Sequence, residues 1–198
     1  MTKYTIKSQI ETFLGITIDE NIDYIINSAE KYIDNFTGRN FVADTEASAR
    51  LYNGNNSQNL LIDDCIEVTK VEIGNDQYGD SFTEVVVNTG VKVLPINNLV
   101  KKLPFWKIHL RSNVFGAGLG NQQITAKWGY TKVAPDDIIW VAIFLSASIY
   151  KLGSGGNVGG VSGEKIGEYS VSFKSEQEMA DFNKATGILD NYKERIIW

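Results

Sequence analysis

Apolar residues recur every three to four positions through the first forty residues and every second position from about residue 49. The first period belongs to helices with one buried face, the second to half-buried strands. Ile22, Ile25, Ile26, Ala29, Tyr32, Ile33 and Phe36 form one stripe, and Asp23, Asn27, Glu30 and Asp34 fall on the opposite face. Gly38 ends this helix, because the residue after a helix favours the left-handed conformation open to glycine. A shorter helix bearing Ile6, Ile10, Phe13 and Leu14 precedes it and ends at Gly15. Ser8 with Glu11, and Thr17 with Glu20, have the spacing of reciprocal N-terminal caps.

In the middle of the chain, residues 50–52 and 60–62 flank an Asn53-Gly54 turn that predicts a hairpin. Ile66, Val68, Val71 and Ile73 predict a further strand, and 85–87 pairs with 91–94 across Asn88-Thr89-Gly90. KIHLR follows, and then Ile124, Ala126, Trp128 and Tyr130 alternate with polar neighbours. Helix returns with Pro135, Asp136 and Asp137 at its start, where a fixed φ and negative charge suit the first turn. Its apolar residues lie on most sides, so it needs several packing partners. Beyond the stretch GSGGNVGGVS comes a strand, EKIGEYSVSF, and a last helix capped by Ser175 and Glu178 and carrying Met179, Phe182, Leu189 and Tyr192. The prediction is an α+β fold. Residues 1–47 and 132–198 form a discontinuous helical bundle, and 48–131 form an inserted small antiparallel β barrel or sandwich.

Composition narrows the class. With 198 residues, 43% hydrophobic and 11% aromatic, the chain can bury a core. Its net charge is −5. Residues 1–48 carry 4 basic and 8 acidic groups, 49–163 carry 10 and 9, and 164–198 carry 5 and 7. Acidic ends around a neutral middle associate the ends with each other. Nothing in this balance recommends nucleic acid or anionic lipid as the main partner. A lone cysteine, Cys65, excludes an internal disulfide framework and suits a reducing compartment. The N-terminus lacks the apolar core of a secretory signal, and the longest apolar run, 138–150, is short of a membrane span. The expectation is a soluble cytosolic protein.

Candidate chemistry is sparse. Gly155, Gly160 and Ser162 have part of a phosphate-loop spacing, but Val161 stands where that loop requires Lys. The loop also follows a helix and opens a strand, the reverse of an anion-binding helix N-terminus. Gly153, Gly155, Gly156, Gly159, Gly160 and Gly163 therefore predict a flexible connector that binds no nucleotide. His109 alternates onto the polar side of its strand with Lys107 and Arg111, and nothing supplies it with a nucleophile or an orienting carboxylate. Cys65 lies beside Asp64 and near Glu67, which raise a thiol pKa, and reads as a small buried hydrophobe. One His and one Cys do not make a zinc site, and the aspartates have no calcium-loop spacing. No catalytic residue, metal or cofactor is expected. In KKLPFWKIHLR, Lys101, Lys102, Lys107 and Arg111 make a possible basic face for nucleic acid, or else an edge strand guarded by Lys and Pro104.

Three segments, AEKYIDNFTGRNF at 29–41, ITAKWGYTKVAPDDIIWVAIFLSASIYK at 124–151 and GEKIGEYSVSF at 163–173, lie in the order found in a known family. In these segments the chain resembles the head–tail connector (adaptor, or head-completion) proteins of tailed phages and prophages. The resemblance implies a structural protein and not an enzyme. Copies form a ring, usually of twelve, beneath the portal protein, which extends the DNA channel and receives the tail-side stopper or terminator. It implies a place in the virion after assembly in the host cytoplasm, no membrane, and DNA passing without sequence-specific binding. An acidic lining suits that role, because it repels DNA and lets it slide. Tyr192, Ile196, Ile197 and Trp198 give the chain end apolar area for a partner's pocket. The alternative for Trp198 is closure of its own helical core. A rival of another class is a carbohydrate- or protein-binding β module of a baseplate or receptor-binding device, suggested by Trp106, Trp128 and the tyrosines.

Overall fold

The computed structural model describes residues 4–153, 162–166, 169–173 and 176–193. Its first elements are α1 (Lys7–Leu14), α2 (Asp23–Thr37), β1 (Ser48–Gly54), β2 (Asn59–Gly74), β3 (Phe82–Val85) and β4 (Val91–Leu94). There follow α3 (Asn98–Lys101), β5 (Phe105–Leu110), β6 (Gly118–Trp128), α4 (Asp136–Gly153), β7 (Ser162–Ile166), β8 (Tyr169–Phe173) and α5 (Glu176–Asp190). The chain divides into two compact units, Met1–Arg39 with Ala134–Trp198, and Asn40–Val133.

In the first unit α4 packs against α1, α2 and α5. Ile138, Val141, Ala142, Leu145, Ala147 and Ile149 of α4 are buried, as expected for a helix apolar on most sides. The α2 stripe buries Ile25, Ile26, Ala29 and Ile33. Gly15 and Gly38 take φ of 69° and 72°, and their N–H groups close the ends of α1 and α2 on Glu11 and Asp34.

Three local expectations fail here for stated reasons. Neither cap pair caps a helix. Gln9 Oε1 accepts from Ile6 N–H at 3.1 Å at the start of α1, Glu11 accepts from Ile18 N–H at 2.9 Å, and Asn21 Oδ1 accepts from Asp23 N–H at 2.7 Å at the start of α2. Glu30, placed by periodicity on the polar face, is buried at 4% exposure. It accepts from the N–H groups of Tyr4 at 2.6 Å and Thr5 at 3.3 Å, because that extended segment needs acceptors, while Asp34 accepts from the Tyr4 hydroxyl. Lastly, 162–173 is two antiparallel strands, β7 and β8, with Ser162 opposite Phe173. Ser175 lies outside the described residues.

The second unit holds a six-stranded antiparallel sheet in the order β1-β6-β2-β5-β4, with β3 on β2. It is not closed into a barrel. β1 and β4 end the path without pairing with each other. The 16-residue β2 serves two neighbourhoods: Asn59–Leu61 lie against β5, and 67–73 against β6, with register shifts at 61/65, 65/67 and 68/70. Such bulges bend a strand. Across the gap, side chains act in place of a backbone ladder. Arg50 and the Tyr52 hydroxyl of β1 donate to Asp63 of β2 at 2.5 and 2.9 Å.

The hairpin expected at Asn53-Gly54 does not form, because β6 lies between β1 and β2. Asn53 Oδ1 accepts from Gly120 N–H at 2.8 Å, and Asn121 Oδ1 accepts from Gly54 N–H at 2.9 Å, so the turn is bound to the β6 end. Likewise β3 pairs with β2 and β4 with β5, and only an isolated bridge joins Val87 to Val91. β5 is an interior strand rather than a guarded edge, since β2 and β4 flank it. The core of this unit gathers Leu60, Cys65, Val71, Ile108, Leu110, Phe115, Ile124 and Trp128. Trp128 is 1% exposed and its Nε1–H donates to the Ser48 carbonyl at 2.8 Å.

Candidate functional site

The groups with catalytic potential are occupied by structural work. Burial, and then the charges of Asp64 and Asp63, push the Cys65 thiol up to about 12, so it is neither nucleophile nor metal ligand near neutrality. His109 Nδ1 lies 3.1 Å from Asn59 Oδ1 on the neighbouring strand. Asp76, whose carboxylate accepts from the N–H groups of Tyr78 and Asp80 at 2.8 and 3.3 Å, is held below its ordinary pKa by those bonds and organises its own turn. Among the described residues no three His, Cys, Asp or Glu side chains gather as a metal site. No helix among them is long and apolar enough to cross a membrane.

The chain-end candidates divide. Tyr192, just past α5, donates its hydroxyl to the Asp137 carboxylate at 3.0 Å, and its carbonyl accepts from Arg39 Nε at 2.6 Å. Lys193 Nζ lies 4.2 Å from the Phe36 ring and pairs with Asp190 at 2.7 Å. The end of α5 is thereby fastened to the start of α4 and the end of α2. Ile196, Ile197 and Trp198 lie outside the described residues, as do Gly155, Gly156, Gly159 and Gly160. Gly153 is the last residue of α4, and Gly163 pairs with Ser172 in the β7–β8 ladder.

Within the helical unit, α1 and α4 leave a groove of about 380 Å³ between them, lined by Ser8, Gln9, Thr12, Phe13, Trp140 and Ile143. Trp140 stacks on Phe144, with centroids 5.6 Å apart, and carries Lys184 Nζ 5.4 Å from its ring. The groove exposes mostly apolar surface and none of its six lining residues is titratable, so it can seat an apolar side chain.

Charge sharpens the basic face expected at Lys101, Lys102, Lys107 and Arg111. Residues 85–133 contain no Asp or Glu and seven Lys or Arg. Averaging over 49–163 hid this, because seven acids in 63–84, with Asp136 and Asp137, cancel it. In the β1-β6-β2-β3 part of the sheet, ion pairs consume the charge: Arg50–Asp63, Lys70–Glu72 and Lys127–Glu67 at 2.5, 2.8 and 2.9 Å. On the β4–α3–β5 side, Lys92, Lys101, Lys102 and Lys107 make no ion pair among the described residues. Lys107 Nζ lies 5.1 Å from the Trp106 ring, and Arg111 donates to the Asn88 carbonyl at 3.0 Å. Lys101 and Lys102 are exposed on the segment joining β4 to β5, together with Ile96 (58%), Val100 (85%) and Leu103 (39%). That segment is shaped by backbone bonds, Lys101 N–H to the Asn97 carbonyl at 3.2 Å and Leu103 N–H to the Asn98 carbonyl at 3.1 Å. It forms a cationic tip with an apolar crown.

No protein-family model and no curated protein matches the chain. Chains of solved structures do, and two of them come from particle necks. One is a chain of the neck of an empty GTA particle computed with C6 symmetry, at TM-score 0.60 and 12% identity, covering 98% of this chain and 92% of that one. The other is a chain of the neck of a native GTA particle computed with C12 symmetry, at TM-score 0.52 and 14% identity, covering 96% and 89%. At such identities the likeness is one of fold, and it spans nearly the whole of both partners.

Proposed function

We propose that the chain is a head–tail neck subunit of a tailed phage or phage-like particle, a structural connector with no catalytic activity. The observation that carries the reading is the end-to-end likeness to the neck chains of GTA particles, which takes in both units and not one common motif. The resemblance of 29–41, 124–151 and 163–173 to phage adaptor proteins supports it independently. Cyclic symmetry in both GTA necks supports a ring of copies, six or twelve around a DNA channel. The portal protein on the head side and a stopper or terminator on the tail side are the partners this role requires, and the virion is its location. The rival reading as a carbohydrate- or protein-binding β module loses one of its supports. Trp128 is 1% exposed and occupied with Ser48, so it has no face to offer a sugar ring.

Deleting the gene tests the proposal. A neck subunit predicts particles that stop at DNA-filled or leaking heads beside free tails, restored by supplying the chain in trans. Complete, tailed particles in its absence would overturn it.

A further inference from the structure

The cationic tip between β4 and β5 is unlike the rest of the β unit. It places Val100 at 85% exposure and Ile96 at 58% beside Lys101 and Lys102. Lone exposed apolar residues are ordinary, but an apolar crown ringed by unpaired like charges marks a contact surface. Nucleic acid fits it poorly, because phosphate oxygens gain nothing from Val100, Ile96 or Leu103. An acidic protein surface with its own exposed apolar residues fits both features.

This chain carries such a surface on its helical unit. From the end of α1 into α2, Phe13 (46%), Ile16 (47%) and Tyr24 (60%) are exposed, with Asp19, Glu20 and Asp23 exposed among them. Tyr150 of α4 hydrogen-bonds Glu20, and burial first, then the charges of Glu20 and Asp19, raise its pKa. Lys7 donates to the Glu20 carbonyl at 3.1 Å, and three carboxylates still exceed that one ammonium. The whole unit carries 15 Asp or Glu against 10 Lys or Arg.

We infer that the tip at 96–103 of one copy docks on the corner at 13–24 of the next. The occupant is a second copy of this chain, and charge complementarity together with the matching apolar crowns argues for it. The contact joins two different patches, so it is head-to-tail, the kind that generates rings when the rotation closes. The inference rests on the neck reading for the ring, and it assigns the β insertion a role that reading leaves open.

The test is self-association of the purified chain, by sedimentation velocity up to several hundred micromolar at low salt. Circular dichroism checks that each variant is folded. K101E/K102E and D19K/E20K are each expected to weaken association at least about tenfold, since like charges then face each other across the contact. The combined variant K101E/K102E/D19K/E20K restores opposite signs and is expected to recover most of the loss. Val100→Cys mixed with Phe13→Cys should cross-link between copies, with Cys65 buried and silent. Association equal to wild type in both double variants overturns the inference, as does a quadruple variant that stays dissociated. Duplex DNA retarded by the wild type and released by K101E/K102E, with association unchanged, assigns the tip to nucleic acid instead. A wild type that stays monomeric and gives no cross-link overturns it too. The neck reading is judged separately by gene deletion, so the two can fail independently.

Discussion

The helical unit and the β unit hold their buried polar groups in opposite ways. In the helical unit a carboxylate does it: Glu30, 4% exposed, gathers two backbone N–H groups of the segment before α1. In the β unit neutral amides do it. Asn121, 2% exposed, accepts from Gly54 N–H and donates to the Gly116 carbonyl at 3.0 Å, so one side chain braces two loops. A carboxylate accepts several N–H groups strongly but can donate nothing, whereas an amide does both at lower desolvation cost. The charge left on the surface follows the same division. The helical unit remains acidic, and the β unit, with acids in ion pairs along β2 and β3, presents along β4 and β5 cations that make no ion pair among the described residues.

The largest test of this contrast removes the apolar anchor of the β unit. Trp128→Ala is expected to cost about 3–5 kcal/mol, with lost hydrogen-exchange protection concentrated in 40–133. Equal loss of protection in α2 and α4 would show that the two units do not respond separately.

Next come the braces themselves. Glu30→Ala strands the Tyr4 and Thr5 N–H groups and is expected to cost about 2–3 kcal/mol by denaturant unfolding. Asn121→Ala is expected to cost less, about 1–2 kcal/mol, because Gly54 and Gly116 lie nearer to water. The reverse order would break the comparison.

These same braces explain what the sequence concealed. Stripes are readable because burial of Ile25, Ile26, Ala29 and Ile33 imposes a period, and Gly15 and Gly38 are readable because their φ demands glycine. Glu30 was assigned to solvent because a pattern of polarity carries no information about an extended segment, 26 residues earlier, that needs an acceptor. Asn53-Gly54 has hairpin chemistry, yet its partner is β6, some 65 residues on, and strand order is set by long-range packing. The tip at 96–103 was half legible: its lysines stood out, and the exposure of Val100 did not.

A smaller effect of opposite sign is expected at Ser146, whose hydroxyl is fully buried and has no hydrogen-bond partner among the described residues. Ser146→Ala is expected to stabilise the helical unit by up to about 1 kcal/mol, read as a raised melting temperature. Destabilisation would mean that the hydroxyl is satisfied in solution.

The smallest effect at neutral pH concerns Cys65. Its folded pKa of about 12 lies above the unfolded value, so the folded state keeps the proton longer. Its contribution is therefore intact below the unfolded thiol pKa and is lost as pH rises towards 12. At pH 8 a thiol-reactive disulfide reagent should label native protein slowly and unfolded protein at once; rapid native labelling would contradict the burial.

The most direct test of the neck assignment is imaging of the particles made by the genome that encodes this chain, with an electron-dense label or fused domain on the subunit. The account predicts label density in a ring of six or twelve positions between head and tail, centred on the channel axis. Label at the distal tail tip, or particles that contain none of the chain, would contradict it.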